Sequence, residues 1–181
     1  MPRKNEIDML HGPLLAKIII FAMPLAASSI LQQLFNSVDV AVAGRFDSSY
    51  ALAAVGSNGP VISLLINLFL GISMGANVVI SNHIGQKDNN LTKYAIRTTA
   101  ATALFSGLAL AVIGVLAARP ILTIMGTPTE VLDMAVRYLR IYFIGTPFLL
   151  IYNFGSAILR SKGDTSRPLY ILIVAGIINT V

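Results

Sequence analysis

Residues 14–43 read LLAKIIIFAMPLAASSILQQLFNSVDVAVA, an apolar run with a single cation, Lys17, near its start and a single acid, Asp39, near its end. A helix crosses about 30 Å of hydrocarbon with about 20 mostly apolar residues, so this run is long enough to span a bilayer. Comparable runs follow at 51–80, 92–118 and 131–159, and a fifth begins at Leu169 and continues to Val181. At 1.5 Å per residue the fifth reaches only about 20 Å and cannot cross alone. The pattern predicts an all-α, polytopic membrane helix bundle of four full transmembrane helices plus a truncated fifth. Residues 1–13 are expected to form a cytoplasmic N-terminal segment and residues 14–181 an incomplete N-terminal transmembrane bundle.

Composition agrees. Of the 181 residues 55% are hydrophobic and 12% charged, and the mean hydropathy is +0.76. A soluble domain carries about 25% charged residues, so water is not the main solvent of this chain. The absence of cysteine excludes disulfide scaffolds and thiolate metal sites. The net charge of +5 does not indicate nucleic-acid binding, because long apolar runs separate the basic residues and no continuous phosphate-tracking stripe forms. Arg3 and Lys4 before an apolar run have the form of a secretory signal, but the run extends too far, contains Pro24 and is followed by further spans.

Lysine and arginine placement sets the expected orientation. Arg3, Lys4, Lys17, Lys87, Lys93, Arg97, Arg160, Lys162 and Arg167 fall on one side, and Arg45, Arg119, Arg137 and Arg140 on the other. The excess predicts a cytoplasmic N-terminus. Thr127, Pro128 and Glu130 match a helix start with a threonine N-cap. Asp133 and Arg137 are four apart and can pair, while Arg140 can snorkel toward the interface. Gly71 and Gly75 form a GxxxG step expected to pack helices closely. Pro24, Pro60 and Pro147 lie within spans, where each removes a backbone hydrogen bond and bends the helix.

The acid inside the first span carries the functional reading. An aspartate near the centre of a membrane helix costs about 2.5 to 3.5 kcal/mol, so Asp39 is expected to face other helices or a watery cavity. At 100° per residue Gln32 lies about 20° from it around the helix and Asn36 about 60° away, which makes one face polar. The alternative for Asp39 is an interfacial acid that caps the helix or pairs with Arg45. On the fourth span Tyr142 and Asn153 nearly eclipse each other, with Tyr138 on roughly the same side. Asn58, Asn67 and Asn77 on the second span and Asn179 on the fifth add polar groups that either pack helices or line a hydrated chamber. Desolvation destabilises a buried carboxylate's charged form, which makes Asp39 a candidate coupling site for a proton, or for a sodium ion with help from amide oxygens.

Three segments together resemble the multidrug and toxic compound extrusion (MATE) family: VDVAVAGRFDSSYALAAVG at 38–56, GISMGANVVISNHIGQKD at 71–88 and RSKGDTSRP at 160–168. The similarity runs in order from about Leu14 to Val181. It implies a twelve-helix transporter of two six-helix bundles facing each other across a cleft, with this chain an N-terminal part. It further implies a multi-pass protein of the cell (inner) membrane that exports cationic amphipathic compounds in exchange for protons or sodium ions, without an organic cofactor or bound metal. The expected partners are those small molecules, the lipid bilayer and a C-terminal bundle. On this resemblance Asp39 matches the family's first-helix acid, Gln32 a glutamine before it, and Pro24 the proline at which that helix is proposed to bend. Tyr138 and Asn153 match fourth-helix polar residues and Asn179 the fifth-helix asparagine. The second acid of the network falls beyond Val181.

Two other readings share some of these features. A lipid-linked oligosaccharide flippase has the same superfamily fold but generally more cations lining its cavity. A non-transporting membrane scaffold needs no acid on a polar face. An intramembrane enzyme is disfavoured, because His11 and His83 lie outside the apolar runs and Asp39 has no facing acid in this sequence. Alone, the bundle is expected to transport nothing, since its cleft needs a second wall.

Overall fold

The computed structural model describes residues 13–46 and 49–180; at residues 14, 36, 39–52 and 179–180 within them no side chain is described. Five helices follow in order: α1 (Leu14–Phe46), α2 (Ser49–Gly85), α3 (Asn89–Ile124), α4 (Thr129–Ser161) and α5 (Ser166–Thr180). The first four are long and apolar enough to cross a membrane, and α5 is a shorter apolar helix. The four long runs thus appear as continuous helices, each containing one proline, at Pro24, Pro60, Pro120 and Pro147.

The turns are set by short polar signals. Asp88 accepts hydrogen bonds at Oδ1 from the backbone N–H groups of Asn90 and Leu91, at 3.0 and 2.9 Å, and so caps α3. After α4, Gly163 takes a positive φ of 81°. The Gly163 N–H donates to Arg160 O and that of Asp164 to Leu159 O, closing the helix end. Asp164 then accepts at Oδ1 from the Arg167 N–H at 3.1 Å and pairs through Oδ2 with Arg167 Nε at 3.0 Å. That acid starts α5 at Ser166, three residues before the onset expected from the apolar run. At the other end, α4 begins at Thr129 with Pro128 at the cap position and no side-chain cap bond. Thr127 is therefore not the N-cap, and its N–H instead closes the end of α3 by donating to Leu122 O.

Most of the packing lies between α3 and α4 and between α2 and α4, while α1 packs chiefly on α5. One apolar cluster joins Ala54, Ala118, Leu122, Val131, Ala135, Val136, Leu139 and Phe143. A second joins Ala103, Leu150 and Phe154, with Phe69 and Ala76 against it. Small residues allow the close approach. A Cβ on Gly107 would stand 2.7 Å from Pro147 Cα, and one on Gly114 would overlap the Phe143 ring. The GxxxG step behaves otherwise: Gly71 and Gly75 are exposed, and a Cβ on either meets nothing within 4 Å among the described residues. The expected close packing falls on α3, because that is the helix against which α4 buries its large side chains. Large apolar residues such as Ile19, Leu64, Val112 and Ile178 remain exposed on the outside, as lipid-facing positions should.

Candidate functional site

A cavity of about 530 Å³ opens between α1, α2, α4 and α5. Its polar groups are Gln32, Tyr142, Tyr152 and Asn153, and its apolar walls include Phe35, Ile66, Leu149 and Leu172. This volume falls in the range of ligand pockets, about 300 to 1,000 Å³, and few polar groups on apolar walls are typical of such sites. A much smaller void of about 10 Å³ lies beside it among α2, α3 and α4, sharing Ile66, Tyr142, Leu149 and Asn153 as lining.

Each wall has a local reason. Asn153 is buried between the two voids and makes no hydrogen bond among the described residues, which leaves its amide open to an occupant. Tyr152, on the preceding position of α4, donates from its hydroxyl to Pro168 O at 3.3 Å, and so ties α4 to the first turn of α5. Gln32 lines the same cavity as this phenol. Across the cavity Gly176 is buried against Phe35, and a Cβ there would overlap the ring. Glycine at this point lets α5 lie directly on α1 and closes one side of the chamber.

Of the residues expected at the site, the structure brings Gln32 and Asn153 to one cavity together with Tyr142. Tyr138 stands one turn beyond Tyr142 on α4, is 39% exposed and does not line it. Pro24 lies inside the unbroken α1, where Ser28 Oγ donates to the Pro24 carbonyl at 2.8 Å. The side chains of Asn36, Asp39 and Asn179 lie outside the described residues, as does the whole N-terminal segment through residue 12. Asn58 is no part of the chamber. It is fully buried and donates through Nδ2 to Ala54 O at 2.7 Å and to Ala135 O at 3.1 Å, binding α2 to α4. Asn67 is exposed, and Asn77 accepts from Ser81 Oγ on its own helix. Tyr152 is a lining residue that the sequence does not select, since it points about 100° away from Asn153 around the helix and reaches the cavity through its contact with α5.

The family model described as MatE matches residues 24–181. The chain belongs to the MatE family. Among relatives of this MATE chain, the probable multidrug resistance protein YoeA of Bacillus subtilis is 36% identical over 160 residues, covering 88% of this chain and 35% of YoeA. Solved structures described as a MATE in the straight conformation and in the bent conformation each match with a TM-score of 0.89 at 24% identity, covering 99% of this chain and 40% of theirs. The MATE chain thus spans about a third of the length of YoeA and has the all-helical fold of MATE transporters. With four helices long and apolar enough to cross a bilayer, it is a multi-pass membrane protein.

Proposed function

We propose that this chain forms part of the N-terminal bundle of a secondary multidrug exporter, and that the 530 Å³ cavity is where its cargo or coupling ion is held. The observation that carries this reading is the meeting of Gln32 and Asn153, from α1 and α4, on one chamber walled by Phe35, Tyr142 and Tyr152. Aromatic faces attract organic cations, and two amides supply adaptable hydrogen bonds, a combination suited to amphipathic cations of varied shape. YoeA, as a probable multidrug resistance protein, supports the same activity.

The coupling step belongs to α1. The helix is continuous from Leu14 to Phe46, so position 39 follows Gln32 by two turns on nearly the same face. Asp39 is then the group that takes up a proton or a sodium ion, with Asn36 and Asn179 as neighbouring oxygen donors and Pro24 as the point at which α1 flexes. Tyr138 extends the polar face of α4 toward the membrane surface. The nine-to-four distribution of basic residues supports a cytoplasmic N-terminus in the cell membrane. A C-terminal bundle supplies the second wall of the cleft, and the work done is transport rather than catalysis.

Transport by the full-length protein in vesicles, with proton and sodium gradients imposed separately, tests this reading. Asp39→Asn should abolish gradient-driven export while leaving insertion intact. Undiminished export by that variant would refute the coupling role.

A further inference from the structure

The uncharged stretches of α3 and α4 end at matching levels. In α3 no charged residue falls between Arg97 and Arg119, and in α4 none falls between Arg140 and Arg160. At 1.5 Å per residue each stretch is about 30 Å long, the thickness of the hydrocarbon core. The two helices run antiparallel through the turn at 125–128, so Arg119 and Arg140 stand together at one edge of that core. Direct contact confirms the alignment, because Arg140 Nε donates to the Val115 carbonyl of α3 at 3.2 Å.

At this edge a groove of about 380 Å³ is lined by Arg119, Asp133, Val136, Arg137, Arg140 and Ile141. Asp133 pairs with Arg119 at 3.1 Å, not with Arg137 as their spacing suggests. Its single negative charge meets three guanidiniums, leaving two positive charges over. Arg137 makes no ion pair or hydrogen bond among the described residues. Arg140 spends Nε on Val115, which fixes the side chain and leaves its terminal nitrogens for another acceptor. Planar guanidiniums match phosphate oxygens in pairs, and exposed Ile141, beside the buried Val136, gives the groove an apolar border on which a glycerol and acyl root can lie.

We propose that this groove holds a phosphate group, and that its source is the headgroup of an anionic phospholipid seated between α3 and α4. The depth favours a lipid over free phosphate. The guanidiniums stand where headgroup phosphates lie, above two helices whose next residues inward are apolar.

Native mass spectrometry of the full-length protein, stripped of lipid and titrated with phosphatidylglycerol, phosphatidylcholine or inorganic phosphate, tests the assignment. Phosphatidylglycerol should be retained preferentially, and Arg137→Gln should lower that retention about fivefold, as expected for one arginine near a phosphate. Arg97→Gln removes the same charge at the opposite edge and should leave retention unchanged. Because Arg137 makes no ion pair or hydrogen bond among the described residues, the melting temperature of Arg137→Gln in lipid-free detergent should equal that of the parent. Equal loss in both variants, or none in either, overturns the site. Retention of inorganic phosphate with no preference for phosphatidylglycerol overturns the lipid assignment.

Discussion

The ring of Phe143 on α4 occupies the space that any side chain at Gly114 of α3 would need. Phe143 is 1% exposed and belongs to the larger of the two apolar clusters. In a bilayer, helices gain little from hiding apolar surface from lipid tails, so close packing of this kind is a principal source of their association. Gly114→Ala should therefore lower the stability of the full-length protein by about 1 to 3 kcal/mol, the usual cost of overpacking. Thermal unfolding in detergent measures this. Adding Phe143→Leu to the same variant should recover part of the loss, because the smaller side chain vacates the contested space.

Gly107 makes the same kind of seat against a different partner. Its added Cβ would stand 2.7 Å from Pro147 Cα, a backbone atom that no rotamer change can move. Gly107→Ala should destabilise α3–α4 packing at least as much as Gly114→Ala, and no single substitution at a neighbouring side chain should rescue it. A rescue by shortening Leu150 or Phe154 would show that the contact is set by side chains instead.

The α4–α5 turn depends on one buried acid. Asp164 is 1% exposed, accepts from the Arg167 N–H and pairs with the Arg167 guanidinium. Asp164 stands one residue before the cap position, yet its oxygen satisfies a first-turn N–H as a capping side chain does, and losing such a bond costs about 0.5 to 2 kcal/mol. Asp164→Ala should fray the first turn of α5, seen as faster amide exchange at Arg167 and Leu169, while Asp164→Asn, which keeps an acceptor oxygen, should lose much less.

These contacts show what the sequence could and could not reveal. Run length and the spacing of charges locate the four spans, because hydrocarbon thickness fixes how many apolar residues a helix needs. The partner of each residue is a different matter. Gly71 and Gly75 carry the local signature of a packing step, yet α2 turns them away from α3 and α4, and Gly107 and Gly114 take that role with seven-residue spacing. Asp133 has Arg137 within reach on its own helix but pairs with Arg119 across the turn. Asn58 looks like a chamber residue by type, and only its position beside Ala135 makes it a tie between helices. Gln32, Tyr142 and Asn153 were legible as polar faces of their helices, since that depends on helical periodicity alone. Tyr152 was not, because its inclusion depends on where α5 lies.

The tie made by Asn58 can be separated from the site. Its amide is the donor to the Ala135 carbonyl, and hydrogen bonds between membrane helices average about 0.6 kcal/mol, with values up to about 1.7. Asn58→Ala should lower thermal stability within that range and leave the affinity for transported compounds unchanged. A selective loss of affinity without destabilisation would place Asn58 in the binding machinery.

Asn153 should behave in the opposite way. It is buried yet makes no hydrogen bond among the described residues, so the fold does not depend on its amide, whereas the cavity does. Losing one hydrogen bond to an occupant costs about 1 kcal/mol, or roughly fivefold in affinity. Asn153→Ala in the full-length protein should weaken binding of a fluorescent organic cation by about that factor with little change in melting temperature, and Gln32→Ala should act in the same direction. Asn153→Leu, which projects apolar bulk into the chamber without an amide, should weaken binding further. If all three variants bind as the parent does, the chamber between α1 and α4 is not where the compound sits.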